Sequence, residues 1–293
     1  MERLSFLAAA LLYLFSTILF HRFRTTGRTD TDAFDETLSP MRESGRSPRE
    51  ATTLLGLGLL LQFGILFIET HAKHSPFLTA RGSLNGLIIA WTILGLIFLR
   101  RLNAVLLGEY IAFFAAVILG LAALLPASFV TTPPRIHSTL QKVLLAIHAA
   151  AGFAGYASFL TAGLAATLLY LQNRALLEHR LDSFTDSLPP VKRSEKILVR
   201  GLVAGILLLP FAVAIAAFGL LDTIPVQTLH HDPNIETAVG IWVFACIVAT
   251  AGFRSGWTRR PVLLLGMALS PLLIFLRLLF AFLGRGVHSF GGI

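Results

Sequence analysis

Charge is scarce in this 293-residue chain: Asp, Glu, Lys and Arg make up 14% of it, 55% is hydrophobic, and the mean hydropathy is +0.74. An average soluble protein carries roughly 25% charged residues. A chain so poor in charge cannot clothe a globule in solvated side chains, so lipid must be the solvent for most of it. Cysteine is nearly absent. Cys246, the single one, lies inside an apolar run, which excludes a disulfide, a CxxC pair and a cysteine metal cluster. An internal repeat of convincing period is also missing, which disfavours transporters built from duplicated halves. No catalytic triad, phosphate loop or paired carboxylates stand in a context that supports bond-making chemistry, so the chain is not expected to be an enzyme. The apolar run from Leu4 to Phe20 lacks a basic leader and a small-residue cleavage site, and is expected to stay as a first span.

What the sequence has in quantity is long apolar stretches. They run roughly over 3–20, 53–70, 83–99, 104–125, 143–171, 199–221, 237–253 and 261–284. Each is long enough to cross about 30 Å of hydrocarbon at about 1.5 Å per residue. The fold expected is all-α, a polytopic membrane protein of about eight transmembrane helices forming a single integral membrane domain over 1–293. The fifth run exceeds what a bilayer needs, so its helix should tilt or extend into water. Residues 21–52 mix Thr, Asp, Ser, Gly and Arg and read as a flexible cytoplasmic linker, leaving 53–293 as the core.

The net charge is +8, with a sequence pI near 10.4. These basic residues do not form one face for nucleic acid; they sit in short clusters between apolar runs, as topology control requires. The segment from His21 to Thr52 carries Arg22, Arg24, Arg28, Arg42, Arg46 and Arg49. Further clusters are Arg100 with Arg101, the stretch from Arg174 to Lys196, and Arg254 with Arg259 and Arg260. The intervening loops hold little Lys or Arg, and 222–236 holds none. Positive charge resists translocation, so the basic loops are expected inside and both termini outside.

With that topology, seven of the nine histidines fall at or near the outer face, at 71, 74, 137, 148, 230, 231 and 288. For the loop histidines a simple account suffices, since histidine replaces Lys and Arg where full positive charge is disfavoured. His148 is different because it lies inside the fifth run. An imidazole at membrane depth must find partners in the bundle, either as a structural hydrogen bond or as a ligand. Ala149, Ala150, Ala151, Gly152 and Gly155 beside it allow a flat ligand or another helix to approach closely. His288 follows the eighth run. Two neutral imidazoles from separate helices near one face could ligate a haem iron axially. Arg277, about eleven residues before His288 and so roughly 16 Å deeper, could meet a haem propionate, pair with Glu69, or serve a structural ion pair. His230 and His231, with Asp232, form a further possible metal or accessory ligand group.

These residues carry a resemblance. Ile147-His148 through Gly155-Tyr156-Ala157-Ser158-Phe159 to Leu168-Leu169-Tyr170-Leu171 resembles the His…Tyr-Ala-x-Phe…Leu-Tyr-Leu helix of cytochrome c assembly proteins of the CcsA, ResC and HemX kind. Val287-His288-Ser289-Phe290-Gly291 resembles that family's closing Leu-His-Ser-Tyr-Gly, and Asp232-Pro233-Asn234-Ile235-Glu236-Thr237 is similar to part of its external tryptophan-rich loop. The resemblance covers roughly residues 50 to 293. It implies that His148 and His288 are the axial ligands of a haem held at the outer face, flanking a loop that contains Asp232. Leu229-His230-His231 stands where the family carries tryptophans, and Ala251-Gly252-Phe253-Arg254 where its larger members carry a second histidine. The chain thus looks like a divergent, HemX-like member.

The expected function is therefore handling of haem in cytochrome c biogenesis at the extracytoplasmic face, with Asp232 and Arg277 beside the cofactor. Its setting would be a bacterial inner (cytoplasmic) membrane, crossed many times, with other cytochrome c maturation membrane proteins as partners and no nucleic acid. The alternative is a HemX-like regulator of tetrapyrrole synthesis that acts through cytoplasmic loops without bound haem. The topology is open to direct test. A cysteine introduced by Pro190→Cys, with Cys246→Ser removing the native thiol, should react with a membrane-impermeant maleimide only from the cytoplasmic side. Labelling from outside would contradict the assignment of basic loops to the inside.

Overall fold

The computed structural model describes residues 2–26, 49–71, 80–102, 105–124, 139–178, 188–220 and 233–282. Helix is the natural state of such segments, because a chain in hydrocarbon must satisfy every backbone N–H and C=O internally. Among the described residues there are eight helices and no strand: α1 (Glu2–Thr26), α2 (Arg49–His71), α3 (Ala80–Leu102), α4 (Val105–Leu124), α5 (Thr139–Leu177), α6 (Val191–Leu220), α7 (Pro233–Ser255) and α8 (Arg260–Phe282). All eight are long and apolar enough to cross a membrane. The protein is thus all-helical and multi-pass, as its hydropathy requires. Helix takes in both ends of the segment expected as a linker, since α1 runs to Thr26 and α2 opens at Arg49; 27–48 lie outside the described residues.

The α5 helix has 39 residues and is the axis of the bundle. At about 1.5 Å per residue it reaches nearly 60 Å, about twice a hydrocarbon core. Its middle is buried on every side, from Gly155 through Ala166, while its first turns are largely exposed. Packed around that middle are α3, α6 and α8. The direction of each neighbour can be read from paired residues. Gly201, Gly205 and Leu209 of α6 meet Ala162, Phe159 and Gly155 in turn, so α5 and α6 are antiparallel. Gly86 meets Phe153 and Trp91 meets Thr161, so α3 runs parallel to α5. Ser270 meets Leu160, and Gly266 meets Ala166, so α8 is antiparallel to it. Eight successive crossings of a bilayer produce this alternation.

Small residues set the closeness of the α5–α6 seam. Gly201 and Gly205 are spaced as Gly-x-x-x-Gly, the pattern that lets helix backbones touch in lipid. A Cβ at Gly201 would stand 2.8 Å from the Ser158 carbonyl oxygen, and one at Gly205 2.3 Å from the Phe159 ring. Since lipid tails are as apolar as leucine, close packing rather than water exclusion must hold such helices together.

Polar side chains tie the remaining helices. Tyr13 of α1 donates to Gln62 Oε1 of α2 at 2.8 Å and shares a 2.9 Å hydrogen bond with Thr92 of α3. All three residues are fully buried. The first helix also carries His21, whose Nδ1 lies 3.0 Å from a carboxylate oxygen of the buried Glu109 in α4. Trp91 donates from Nε1 to Thr161 Oγ1 at 3.1 Å, joining α3 to α5.

The seam predicts a ranking of glycine substitutions. Gly201→Ala should destabilise the protein by about 1–3 kcal/mol, since the added methyl meets backbone that cannot give way. Gly240→Ala, with nothing within 4 Å of the new Cβ, should be neutral or slightly stabilising. Thermal unfolding in detergent or nanodiscs distinguishes them, and equal effects at the two positions would contradict the packing account.

Candidate functional site

The residue singled out inside the fifth span, His148, is half-buried on α5, at the end of the α5–α6 seam. Two glycines bring the neighbouring helix within reach. A Cβ on Gly155 would lie 3.4 Å from the backbone nitrogen of Leu209, and one on Gly152 3.9 Å from Ala212 Cβ. One turn further toward the α5 N-terminus, the imidazole Nδ1 donates to the Ala212 carbonyl oxygen at 2.8 Å. A carbonyl cannot donate, so this bond places a proton on Nδ1. In the neutral ring the lone pair then belongs to Nε2. Metal-ligating histidines are commonly held this way, one ring N–H given to a backbone carbonyl and the other nitrogen turned to the metal.

The carbonyl that holds His148 lies just beyond an irregularity in α6. Pro210 stands inside that helix, has no N–H, and therefore cannot complete the ladder bond to the carbonyl of Ile206. That carbonyl accepts instead from Trp242 Nε1 of α7, at 3.0 Å. Two helices thus converge on a short stretch of α6: α7 at Ile206, and α5 at Leu209 and Ala212.

Arg277 is half-buried on α8, with its guanidinium carbon 4.3 Å from the centroid of the Tyr156 ring on α5. A guanidinium over an aromatic face is attracted by the ring quadrupole, the more so where water is excluded. Tyr156 is eight residues beyond His148 on the same helix, about 12 Å along its axis. The two ionisable groups expected in the site thus meet α5 at levels about 12 Å apart along its axis, His148 facing α6 and Arg277 reaching over from α8. Of the alternatives open for Arg277 from sequence, an aromatic seat had not been among them. Tyr156 belonged to the helix motif, but nothing in one sequence shows which residue of α8 will lie over it.

His230, His231, Asp232 and His288 lie outside the described residues, as does the side chain of Glu69. Among the described residues no group of three or more His, Cys, Asp and Glu side chains is placed to hold a metal ion. His288, which the resemblance implies as the second axial ligand, is among the residues outside them.

The fold and this arrangement define a class: a polytopic α-helical membrane protein with a half-buried histidine hydrogen-bonded across the seam of a long central helix. The family follows from comparison with known proteins. The model of the family described as cytochrome C assembly protein matches residues 78–223, about half of the chain, and spans α3 through α6 with His148 among them. The chain belongs to the cytochrome c assembly protein family. No curated protein and no solved structure matches it.

The seat of Arg277 yields a test. Tyr156→Leu removes the ring face and should cost about 1–2 kcal/mol beyond its packing loss, while Tyr156→Phe keeps the face and should cost much less. Unfolding measurements on both variants, with Arg277→Met as the second corner of a double-mutant cycle, isolate the coupling. A coupling energy indistinguishable from zero would mean that Arg277 is held by other contacts.

Proposed function

We propose that this protein, which acts in cytochrome c biogenesis by family membership, holds haem non-covalently at the extracytoplasmic face and passes it on without making or breaking covalent bonds. The observation that carries this reading is the hydrogen bond from His148 Nδ1 to the Ala212 carbonyl at 2.8 Å. It fixes the tautomer and the ring plane, leaving Nε2 as the donor nitrogen, which is what an axial ligand requires. Haem, if bound, would be held through neutral imidazole nitrogen, for which His148 would supply Nε2.

The chain's own residues take distinct parts in this reading. His148 binds, and the Ala212 carbonyl orients it. The resemblance of the chain's last residues assigns the second axial position to His288, and Asp232 with its neighbours to the loop that flanks the cofactor. Arg277 is the cation available to a propionate, with Tyr156 as its resting seat when no anion is near. The setting is a bacterial cytoplasmic membrane, with other membrane proteins of cytochrome c maturation as partners. The competing regulatory role, exerted through cytoplasmic loops without haem, has no structural feature in its favour among the described residues.

The test is spectroscopic. Protein purified in detergent from cells supplied with haem precursor should show a Soret band. His148→Ala or His288→Ala should abolish it or reduce haem occupancy at least tenfold, while His71→Ala leaves it nearly intact. Acidification should release the haem, because an imidazolium has no lone pair for iron. A wild-type protein without a Soret band, whose cellular function survives His148→Ala but fails on deletion of residues 27–48, would transfer the weight to regulation.

A further inference from the structure

The orientation of His148 depends on one backbone carbonyl of α6, and that carbonyl lies two residues past Pro210. Proline removes the donor for Ile206 and its ring crowds the same carbonyl, so the segment 206–212 cannot be held by the α6 ladder alone. In lipid an unanswered carbonyl is costly, and neighbouring helices commonly supply the missing donor. Here the donor is Trp242 Nε1 at 3.0 Å. The same stretch of α6 is also packed against α5, where Gly155 approaches Leu209 and Gly152 approaches Ala212. Ala212 is buried, so its carbonyl has little room to follow any movement of α6 without changing the angle it offers to His148.

We propose that Trp242 is a positioning residue for His148: its indole N–H replaces the ladder bond that Pro210 forfeits, and so fixes the carbonyl of Ala212 that selects the imidazole tautomer. The chain of contacts runs Trp242 Nε1, Ile206 carbonyl, the Pro210 turn, Ala212 carbonyl, His148 Nδ1. Its meaning for haem rests on the reading of His148 as a ligand; the contacts themselves do not. Since α7 opens at Pro233, directly after the segment with His230, His231 and Asp232, Trp242 also connects the helix that follows that loop to the orientation of His148. A purely space-filling tryptophan would need only its ring. A positioning tryptophan needs its N–H.

The experiment reads the imidazole directly in the haem-free protein. The full chain, labelled with 15N-histidine and held in nanodiscs, gives ring-nitrogen NMR signals, with that of His148 assigned by its loss in His148→Gln. The wild type should show mainly the Nδ1–H form. Trp242→Phe keeps the aromatic volume and removes the donor, and should lower the ratio of Nδ1–H to Nε2–H form at least threefold. Adding Pro210→Ala returns an N–H to position 210, so the double variant should recover the wild-type ratio. An unchanged ratio in Trp242→Phe, or a change that Pro210→Ala does not reverse, overturns the proposal. If Trp242→Phe alone fails to fold, the double variant decides: a dominant Nδ1–H signal supports the coupling and a mixed one refutes it. Should the wild type prove to bind haem, Trp242→Phe should also weaken its affinity about tenfold, in the range expected for loss of an outer partner of a ligating histidine. A wild type that binds no haem would sink the haem reading while the tautomer result still stands or falls on its own.

Discussion

In hydrocarbon there is no water to answer a stray N–H or carbonyl, and this protein's architecture follows from that constraint. It dictates helices, and it dictates how two irregular features can be tolerated at membrane depth. One is Pro210, whose missing N–H is made good by Trp242 of the next helix. The other is His148, whose ring N–H is made good by the Ala212 carbonyl across the seam. The second repair depends on α5 and α6 lying almost in backbone contact, which Gly152, Gly155, Gly201 and Gly205 permit. A bulkier seam would separate these helices and leave His148 without the Ala212 carbonyl.

The histidine that carries the functional reading is thus a product of packing, and the part of the chain matched by the family model, residues 78–223, is the part that builds it. The helices outside that match serve it from two sides. Through Trp242, α7 holds the carbonyl strand of α6, while α8 brings Arg277 over Tyr156. The first two helices are tied to the matched region by the buried Tyr13, Gln62 and Thr92 group and by His21 with Glu109. Ionisable and polar side chains at depth are costly, and Tyr13, Gln62, Thr92, His148 and Trp242 each find a partner on another helix.

Much of this was legible in the sequence because hydropathy is a strong, one-dimensional signal. Each of the eight apolar runs corresponds to one of eight helices, with ends agreeing to within a few residues for most, and the great length of the fifth emerged as a 39-residue α5. The family was legible too, from the His148 to Leu171 stretch. Helix ends were less so: α1 continues past His21 to Thr26 because Arg and Thr continue a helix once it has left the apolar zone. The site was only half legible. That His148 would need a partner in the bundle follows from an imidazole amid alanines and glycines, yet that partner is a backbone carbonyl 64 positions away, and backbone carbonyls leave no trace in sequence. Pro210 inside an apolar run was a readable sign of an orphaned carbonyl, but which helix would supply Trp242 is a property of the packed bundle. Arg277 was visible as a charge out of place, and its aromatic seat was not.

In the proposed function His148 offers Nε2 to haem iron from the outer half of the membrane, with a second histidine completing the coordination. Electron paramagnetic resonance of the ferric, haem-loaded full-length protein tests this most directly. The account predicts a low-spin signal typical of two imidazole ligands, converted to high spin by His148→Gly and restored by added free imidazole. A high-spin signal in the wild type, or a low-spin signal that His148→Gly leaves unchanged, would contradict it.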